Sequence, residues 1–488
     1  MKKEELIEEI LSEVEKQEGA LSRRDAMKYM AVTPLAASVL AGAATTTEVI
    51  ASDATGKIVI VGGGLAGMST AARLCNMLSN PDITVIEPDP TSVSYQPGQT
   101  LVAAGLWDAS DITYNRDEFV PSGVTLMKDK MTDIDADNQK VMTASGKEVS
   151  YDYLIVTTGL MLNYGAIEGL EGEITSSGAD NAVVMNKIGK NGAHSLYFRD
   201  GATATWKGLQ ELIEKAKAHT GPEKLQALFT HPATPIKCGG APKKIMYLTH
   251  ARLEEAGVRD KVELTFLPNG GKMFGVPEYH EAIVKQFEAR GFKWHYAHNL
   301  VKIDTDAKVA TFDHHWEEKG EYDKDLEEYN MITKHEMVEM KYDFIHITPP
   351  MKAPDEVAKS SIGSAKGWVP VTKETLQHVK YPNVFAMGDV AAVPMGKTGG
   401  SARKQYKVLC DNLIALMEKK SLDAKYGGYT VCPLITSIGT VMLAEFDWSK
   451  KPTPSFPLDP TKERWIWWLL KVYLLKPMTI HGMLSGRA

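Results

Sequence analysis

The sequence predicts an α/β fold with two Rossmann-like dinucleotide-binding domains and a C-terminal amphipathic, membrane-associating region. Three observations predict it. Residues 57–78 read as strand, glycine-rich turn and helix. Two later apolar strands close on Thr158-Gly159 and on Gly388-Asp389. A basic stretch rich in tryptophan, residues 462–475, stands near the C-terminus. Composition agrees: 488 residues, 43% hydrophobic and 24% charged, suit two or three globular domains and exclude disordered and collagen-like classes. The net charge of −7 gives no basic balance for nucleic acid. Cys75, Cys238, Cys410 and Cys432 are too few for a disulfide scaffold and too far apart in sequence for a CxxC pair.

Residues 1–55 read as an export region and linker. An acidic amphipathic pattern covers residues 4–18. Ser22-Arg23-Arg24-Asp25 then precedes a mild apolar stretch, Ala31 to Ala44, with Ala41-Gly42-Ala43 as a cleavage site. Two arginines before such a stretch resemble a twin-arginine signal, which exports proteins already folded around a cofactor. The expected location is the periplasmic face of the cytoplasmic membrane. The alternative is a surface arginine pair before a short buried helix.

The amino-terminal nucleotide fold begins at Lys57–Val61 (KIVIV), a buried strand. Gly62, Gly64 and Gly67 follow in GxGxxG register, and Met68–Leu78 is a helix. The first glycine allows the tight turn, the second lets backbone approach a pyrophosphate, and the third lets helix pack on strand. The helix N-terminus offers free N–H groups to phosphates. A second strand, Ile83–Ile86, ends in Glu87, placed for a ribose hydroxyl. Further on, Tyr153–Thr157 runs into Thr158-Gly159, and Tyr381–Met387 into Gly388-Asp389. In this order the three motifs resemble those of the FAD-dependent flavoproteins with two dinucleotide-binding domains, in which the Asp of the Gly-Asp pair holds the ribityl chain.

The middle of the chain is altered. The strand Gln226–Thr230 leads not to a second glycine triad but to His231–Pro242, which carries Cys238 just before a helix starting near Pro242. An NADH site is therefore lost and a thiol gained. Lys237, Lys243 and Lys244 flank that thiol, and the helix N-terminus adds positive potential. Both favour thiolate, the nucleophilic form. A structural cysteine in a turn is the alternative.

Several strings together resemble the sulfide:quinone oxidoreductases, closest to the branch found in mitochondria and many bacteria. They are Tyr95-Gln96-Pro97 with Thr100-Leu101-Val102, Thr234–Lys244, His346–Pro350, Lys373–His378 and Gly428–Phe446. The resemblance runs from about Lys57 to the end. It implies FAD, sulfide as substrate, a membrane quinone as acceptor, a sulfane-sulfur product and a C-terminal anchor. Gln96 falls in one of the matching strings and is taken as a cofactor contact. The family uses two redox cysteines bridged by sulfur. Cys238 matches the first. The second directly follows the Gly-Asp pair in the nearest branch, and here Val390 stands there. In the related flavocytochrome c sulfide dehydrogenases it lies in a GWCPV-like string, and here Val369 replaces it. Cys410 lies in a helix, and Cys432 matches a family position without an assigned redox role. The expectation is thus a single catalytic thiol, Cys238.

Lys397, Thr398 and Gly399 open a helix reaching about Met417 and are expected flavin contacts, a lysine and a helix N-terminus both stabilising negative charge. The quinone is expected near Pro433–Ile438. Residues 462–475 hold Trp465, Trp467 and Trp468 with Lys471, a composition suited to a lipid surface, although a helix docked on its own protein is the alternative. Residues 313–341 read as a charged, solvated hairpin without metal-ligand spacing. The expected domains are residues 56–170 with 345–420 for FAD, 171–344 for the second Rossmann-like unit, and 421–488 for quinone and membrane. No nucleic acid or metal is expected, and the sequence leaves open whether the protein is a homo-oligomer. Three rival functions remain: a cytochrome c-reducing sulfide dehydrogenase subunit, a type II NADH:quinone dehydrogenase, and a non-catalytic polysulfide-binding flavoprotein.

Overall fold

The computed structural model describes residues 51–89, 92–175 and 177–488. The proposed export pattern lies outside the described residues. The first unit contains β1 (Lys57–Val61), α1 (Leu65–Met77), β2 (Asp82–Ile86), β3 (Val124–Met127) and β4 (Tyr153–Val156). The second contains β5 (Ala193–His194), β6 (Leu225–His231), α2 (Ala241–Glu255), β7 (Val262–Pro268) and β8 (Lys293–Trp294). A long hairpin follows, β9 (Val309–Asp323) and β10 (Glu328–Lys341), and β11 (Phe344–His346) returns to the second sheet. The chain then gives β12 (Val384–Ala386) and α3 (Gly399–Met417), and ends with the hairpin β13 (Thr430–Ser437) and β14 (Thr440–Phe446) and a helical segment from Trp465 to Met483.

Two parallel sheets organise these elements. The first runs β12-β4-β1-β2-β3 and the second β5-β11-β6-β7-β8. Their central strands are apolar runs because helices or loops cover both faces. Ile58, Val59 and Ile60 are fully buried, as are Leu264 and Phe266. Both sheets end their central strands toward one region, where ligands of open parallel sheets bind. On the first sheet α1 and α3 pack together, with Met68, Leu74, Tyr406, Leu409 and Cys410 in one cluster.

Gly62 needs to be glycine: its φ is +102°, and a Cβ there would stand 2.6 Å from the Thr157 carbonyl oxygen. At Gly67 a Cβ would meet the Gly62 carbonyl oxygen at 1.9 Å. That close approach is what lets α1 seat on β1.

The hairpin β9–β10 projects from the second unit, with Tyr322, Leu326, Met331 and Ile332 exposed near its tip. The C-terminal segment is more integrated than its composition suggests. Trp467 and Trp468 are buried with Leu101, Leu248, Val441 and Leu469. Trp465, Ile466, Tyr473 and Leu474 remain partly exposed. Among the described residues no helix is long and apolar enough to cross a membrane.

Candidate functional site

A cavity of ≈ 1590 Å³ opens where the two sheets meet. It exceeds the roughly 300–1,000 Å³ of an ordinary small-ligand pocket and has room for an extended dinucleotide with a second substrate. Gly62, Gly64, Glu87, Gln96, Thr158, Gly159, Cys238, Gly388, Asp389, Lys397, Thr398 and Gly399 all line it. Gly67 does not, because its role is the packing of α1 behind the turn.

At one end the backbone leaves space for a ligand. A Cβ on Gly64 would find no protein atom within 4 Å. Glu87 accepts hydrogen bonds from the Gly63 N–H at 2.6 Å and the Asp89 N–H at 2.9 Å. Burial raises its pKa, and the Arg116 guanidinium opposes that. Arg116 is almost fully buried and donates through Nε to the Gly63 carbonyl at 2.9 Å. It lies 3.8 Å from Glu87 and also lines the cavity. The sequence reading missed it, since a lone arginine in a loop carries no motif. Thr158 Oγ1 is buried with no hydrogen-bond partner among the described residues. An unpartnered buried hydroxyl facing a dinucleotide-shaped space, beside an open glycine, fits FAD.

The other end is cationic. Lys397 Nζ donates to the carbonyls of Asp389 and, at 3.3 Å, Ala391, and lies over the Trp368 ring at 3.8 Å. Burial pushes its pKa down to about 8. Burial pushes the Asp389 carboxyl up, with Lys397 and Lys237 pulling it back. Thr398 caps α3, its Oγ1 accepting from the Ser401 N–H at 3.2 Å. Lys237 Nζ donates to Gln96 Oε1 at 2.9 Å, which ties the cysteine loop to the first unit.

Cys238 sits where these ends meet. Its φ of +51° is left-handed, a conformation that costs a non-glycine residue about 1–2 kcal/mol. Its N–H donates to the Lys397 carbonyl at 2.9 Å, and its own carbonyl accepts from Ala241 at 2.8 Å as α2 begins. Lys244 Nζ lies 3.5 Å from the sulfur. Lys237, Lys243, Lys244 and Lys471 are all buried around the site.

A second thiol, Cys432, stands in the same cluster of side chains as Cys238. The neighbouring Cys432 thiol on β13 is the largest influence pulling the Cys238 thiol well below its ordinary range. Burial works against it, and Lys244 and Lys471 assist. Cys432 is raised correspondingly. Burial alone would depress Lys244, but the two sulfurs beside it outweigh that and raise it. Strand alternation explains the placement. Val431 and Pro433 face the cavity, while Cys432 and Leu434 face α2. Val390 and Val369, by contrast, are fully buried in one apolar cluster behind the first sheet and do not line the cavity.

Lys471 belongs to the same buried basic cluster. The run was read as suited to a lipid surface or to docking on its own protein; Lys471 takes the second course, turning inward and donating to the Pro97 carbonyl at 2.7 Å. It follows the buried Trp467 and Trp468 by four and three residues, so one helical face carries all three. That spacing was the signal available in the sequence. Leu470, Leu475, Met478, Pro433 and Phe456 give the adjoining part of the cavity an apolar wall. Cys410 is fully buried in α3 and its pKa is raised by burial, as suits a core thiol.

Comparisons with known proteins agree with this geometry. The sequence model of the pyridine nucleotide-disulphide oxidoreductase family matches residues 56–191. The chain is 38% identical over 434 residues to the mitochondrial sulfide:quinone oxidoreductase of Dictyostelium discoideum, covering 88% of this chain and 86% of that protein. It is 35% identical to the mitochondrial sulfide:quinone oxidoreductase of Mus musculus, covering 88% and 86%. The crystal structure of the sulfide:quinone oxidoreductase of Aquifex aeolicus superposes with a TM-score of 0.67 at 21% identity, covering 89% of this chain and 92% of that one, which shows the common fold. With a nucleotide-shaped cavity, a lysine-flanked cysteine in place of a second glycine triad, and this level of identity along most of its length, the chain belongs to the sulfide:quinone oxidoreductase family.

Proposed function

We propose that the protein carries out its family's reaction, the FAD-dependent oxidation of sulfide with electrons passed to a quinone, and that Cys238 is the thiolate that handles the sulfur. The observation that carries this reading is the placement of Cys238 in the wall of a dinucleotide-shaped cavity, with Lys244 Nζ 3.5 Å from its sulfur. In this reading Gly62 and Gly64 approach the diphosphate, Glu87 holds a ribose, and Asp389 holds the ribityl chain. Thr158, Gly159, Gln96, Gly388, Lys397, Thr398 and Gly399 surround the flavin. Bound FAD supplies a two-electron acceptor that reoxidises at a quinone. The chain's own residues orient the sulfur, keep it deprotonated and exclude bulk water.

Residues 56–170 with 345–420 form the FAD-holding part, 171–344 the part carrying Cys238, and 421–488 the quinone side. The apolar wall at Pro433, Phe456, Leu470 and Met478 supports quinone entry there. The partly exposed Trp465, Ile466 and Tyr473 support contact with a membrane surface. The Arg23-Arg24 pattern supports export to the periplasm. Anaerobic sulfide is expected to bleach the flavin of the purified protein, and Cys238→Ser to abolish that bleaching while retaining FAD. Sulfide-dependent quinone reduction that survives Cys238→Ser would sink the assignment of Cys238.

A further inference from the structure

We infer that Arg403, Lys404 and Lys407 on α3 form a binding site for the anionic headgroup of a phospholipid, at the arm of the cavity whose wall is apolar. The inference rests on the membrane-side reading above and names the lipid chemistry that side would meet. Lys407 follows Arg403 by four residues and Lys404 by three, so the three cations share one side of the helix. All three line the cavity, and so do Leu475, Met478 and Met483 of the C-terminal segment. The Arg403 guanidinium reaches the Met478 sulfur at 3.4 Å, which puts cation and apolar wall in direct contact.

The positive charge there is not balanced by the protein. Among the described residues none of the three cations has an ion-pair partner, and Asp411, four residues beyond Lys407, is taken by Arg73 at 3.0 Å. Glu445 attracts Lys404 from farther off, but its carboxylate already accepts from the hydroxyls of Tyr429 at 2.5 Å and Ser455 at 2.6 Å. Burial, with Arg403, Arg73 and Lys404 crowding it, pushes the Lys407 pKa down to about 8, and only Asp411 pulls it back. An anion among these groups relieves that repulsion. The guanidinium fork suits two phosphate oxygens, and the ammonium groups add point charges. The adjoining wall selects a lipid over a free anion. Inorganic phosphate would use the cations alone, whereas a phospholipid also lays apolar surface against Leu475 and Met478. Tyr473, Leu474 and Ile480 of the same segment are partly exposed and add to the apolar area a bilayer could cover.

The test uses the FAD-loaded full chain and vesicles of phosphatidylcholine, with or without phosphatidylglycerol. At low ionic strength the parent is expected to cosediment more strongly with the phosphatidylglycerol vesicles. Replacing the three cations together, Arg403→Gln, Lys404→Gln and Lys407→Gln, should weaken that binding by about a hundredfold. Replacing three exposed lysines of the second unit instead, Lys207→Gln, Lys285→Gln and Lys293→Gln, should leave it within about threefold, which separates a site from net charge. The ratio of turnover with a vesicle-borne quinone to turnover with a soluble one should fall in the first triple variant and hold in the second. Should the first triple variant fail to hold FAD, Lys407→Gln alone decides, with binding about fivefold weaker expected. Binding by a flavin-loaded triple variant within about twofold of the parent overturns the site. No preference for phosphatidylglycerol, with inorganic phosphate raising the melting temperature of the parent but not of the triple variant, overturns the lipid in favour of a free anion. A parent that binds neither kind of vesicle overturns the membrane-side reading itself, and the inference with it.

Discussion

Gly240 and Cys432 share one space: the sulfur on β13 occupies the position where a side chain on residue 240 would begin, 2.4 Å away. Gly240→Ala should therefore displace the sulfur or shift the start of α2. Overpacking of this kind costs about 1–3 kcal/mol. A lowered melting temperature with FAD retained, together with a fall in sulfide turnover, is the expected result. An unchanged turnover would show that the sulfur's position does not matter.

The glycines of the first turn separate ligand contact from packing. Gly64→Ala meets no protein atom within 4 Å, so the stability of the FAD-free protein should change by less than about 1 kcal/mol while FAD occupancy falls. Gly67→Ala places a methyl 1.9 Å from the Gly62 carbonyl oxygen, so the protein itself should be destabilised. Flavin absorbance and thermal unfolding of the apoprotein measure the two effects.

Cys238 should stay reactive at low pH. Its thiol pKa is depressed, so the thiolate persists as pH falls through the usual thiol range of about 8.5. In the reduced protein, alkylation of Cys238 should hold its plateau to lower pH than alkylation of an unperturbed thiol. Cys432→Ala removes the largest stabilising influence and Lys244→Met removes positive charge. Both should move the decline to higher pH, as peptide-resolved alkylation rates would record.

Lys471 should oppose folding at low pH. Burial lowers its pKa from 10.5 to about 7. Between those values the unfolded chain binds more protons than the folded one, so stability rises with pH across the window. The opposing effect is full below pH 7 and gone above about 10.5. Lys471→Met should accordingly raise the melting temperature most below pH 7 and hardly at all near pH 10.5. A pH-independent difference would show that Lys471 is charged in the fold throughout.

NADH should not reduce this protein. β6 ends at His231, and the loop to α2 carries Pro232, Pro235 and Cys238 in place of a glycine-rich phosphate turn. Anaerobic NADH is expected to leave the flavin spectrum unchanged under conditions where sulfide bleaches it. Bleaching by NADH would restore the type II dehydrogenase reading.

Much of this was legible in one dimension. The strand, glycine turn, helix and acid of the first unit are consecutive, so Gly62, Gly64, Gly67 and Glu87 declare themselves by spacing. Cys238 was legible because Lys237, Lys243, Lys244 and a helix start are its sequence neighbours. Arg116 was not, because its partners Gly63 and Glu87 reach it only through the sheet. The tryptophans were read by composition as lipid-facing, yet a helix of mixed aromatic and basic residues can turn either face inward. Packing against Leu101, Leu248 and Val441 selected the face carrying Trp467, Trp468 and Lys471.

The sequence by itself determined the α/β class, the nucleotide turn and the first thiol, because each depends on residues adjacent along the chain. Only the tertiary structure decided which other thiol stands beside it. Alternation along β13 gives two faces, Val431 and Pro433 on one and Cys432 and Leu434 on the other, but not what each face meets. The docking of the β13–β14 hairpin on α2, with Gly240 leaving space at the contact, set Cys432 beside Cys238 and left Val390 in the core.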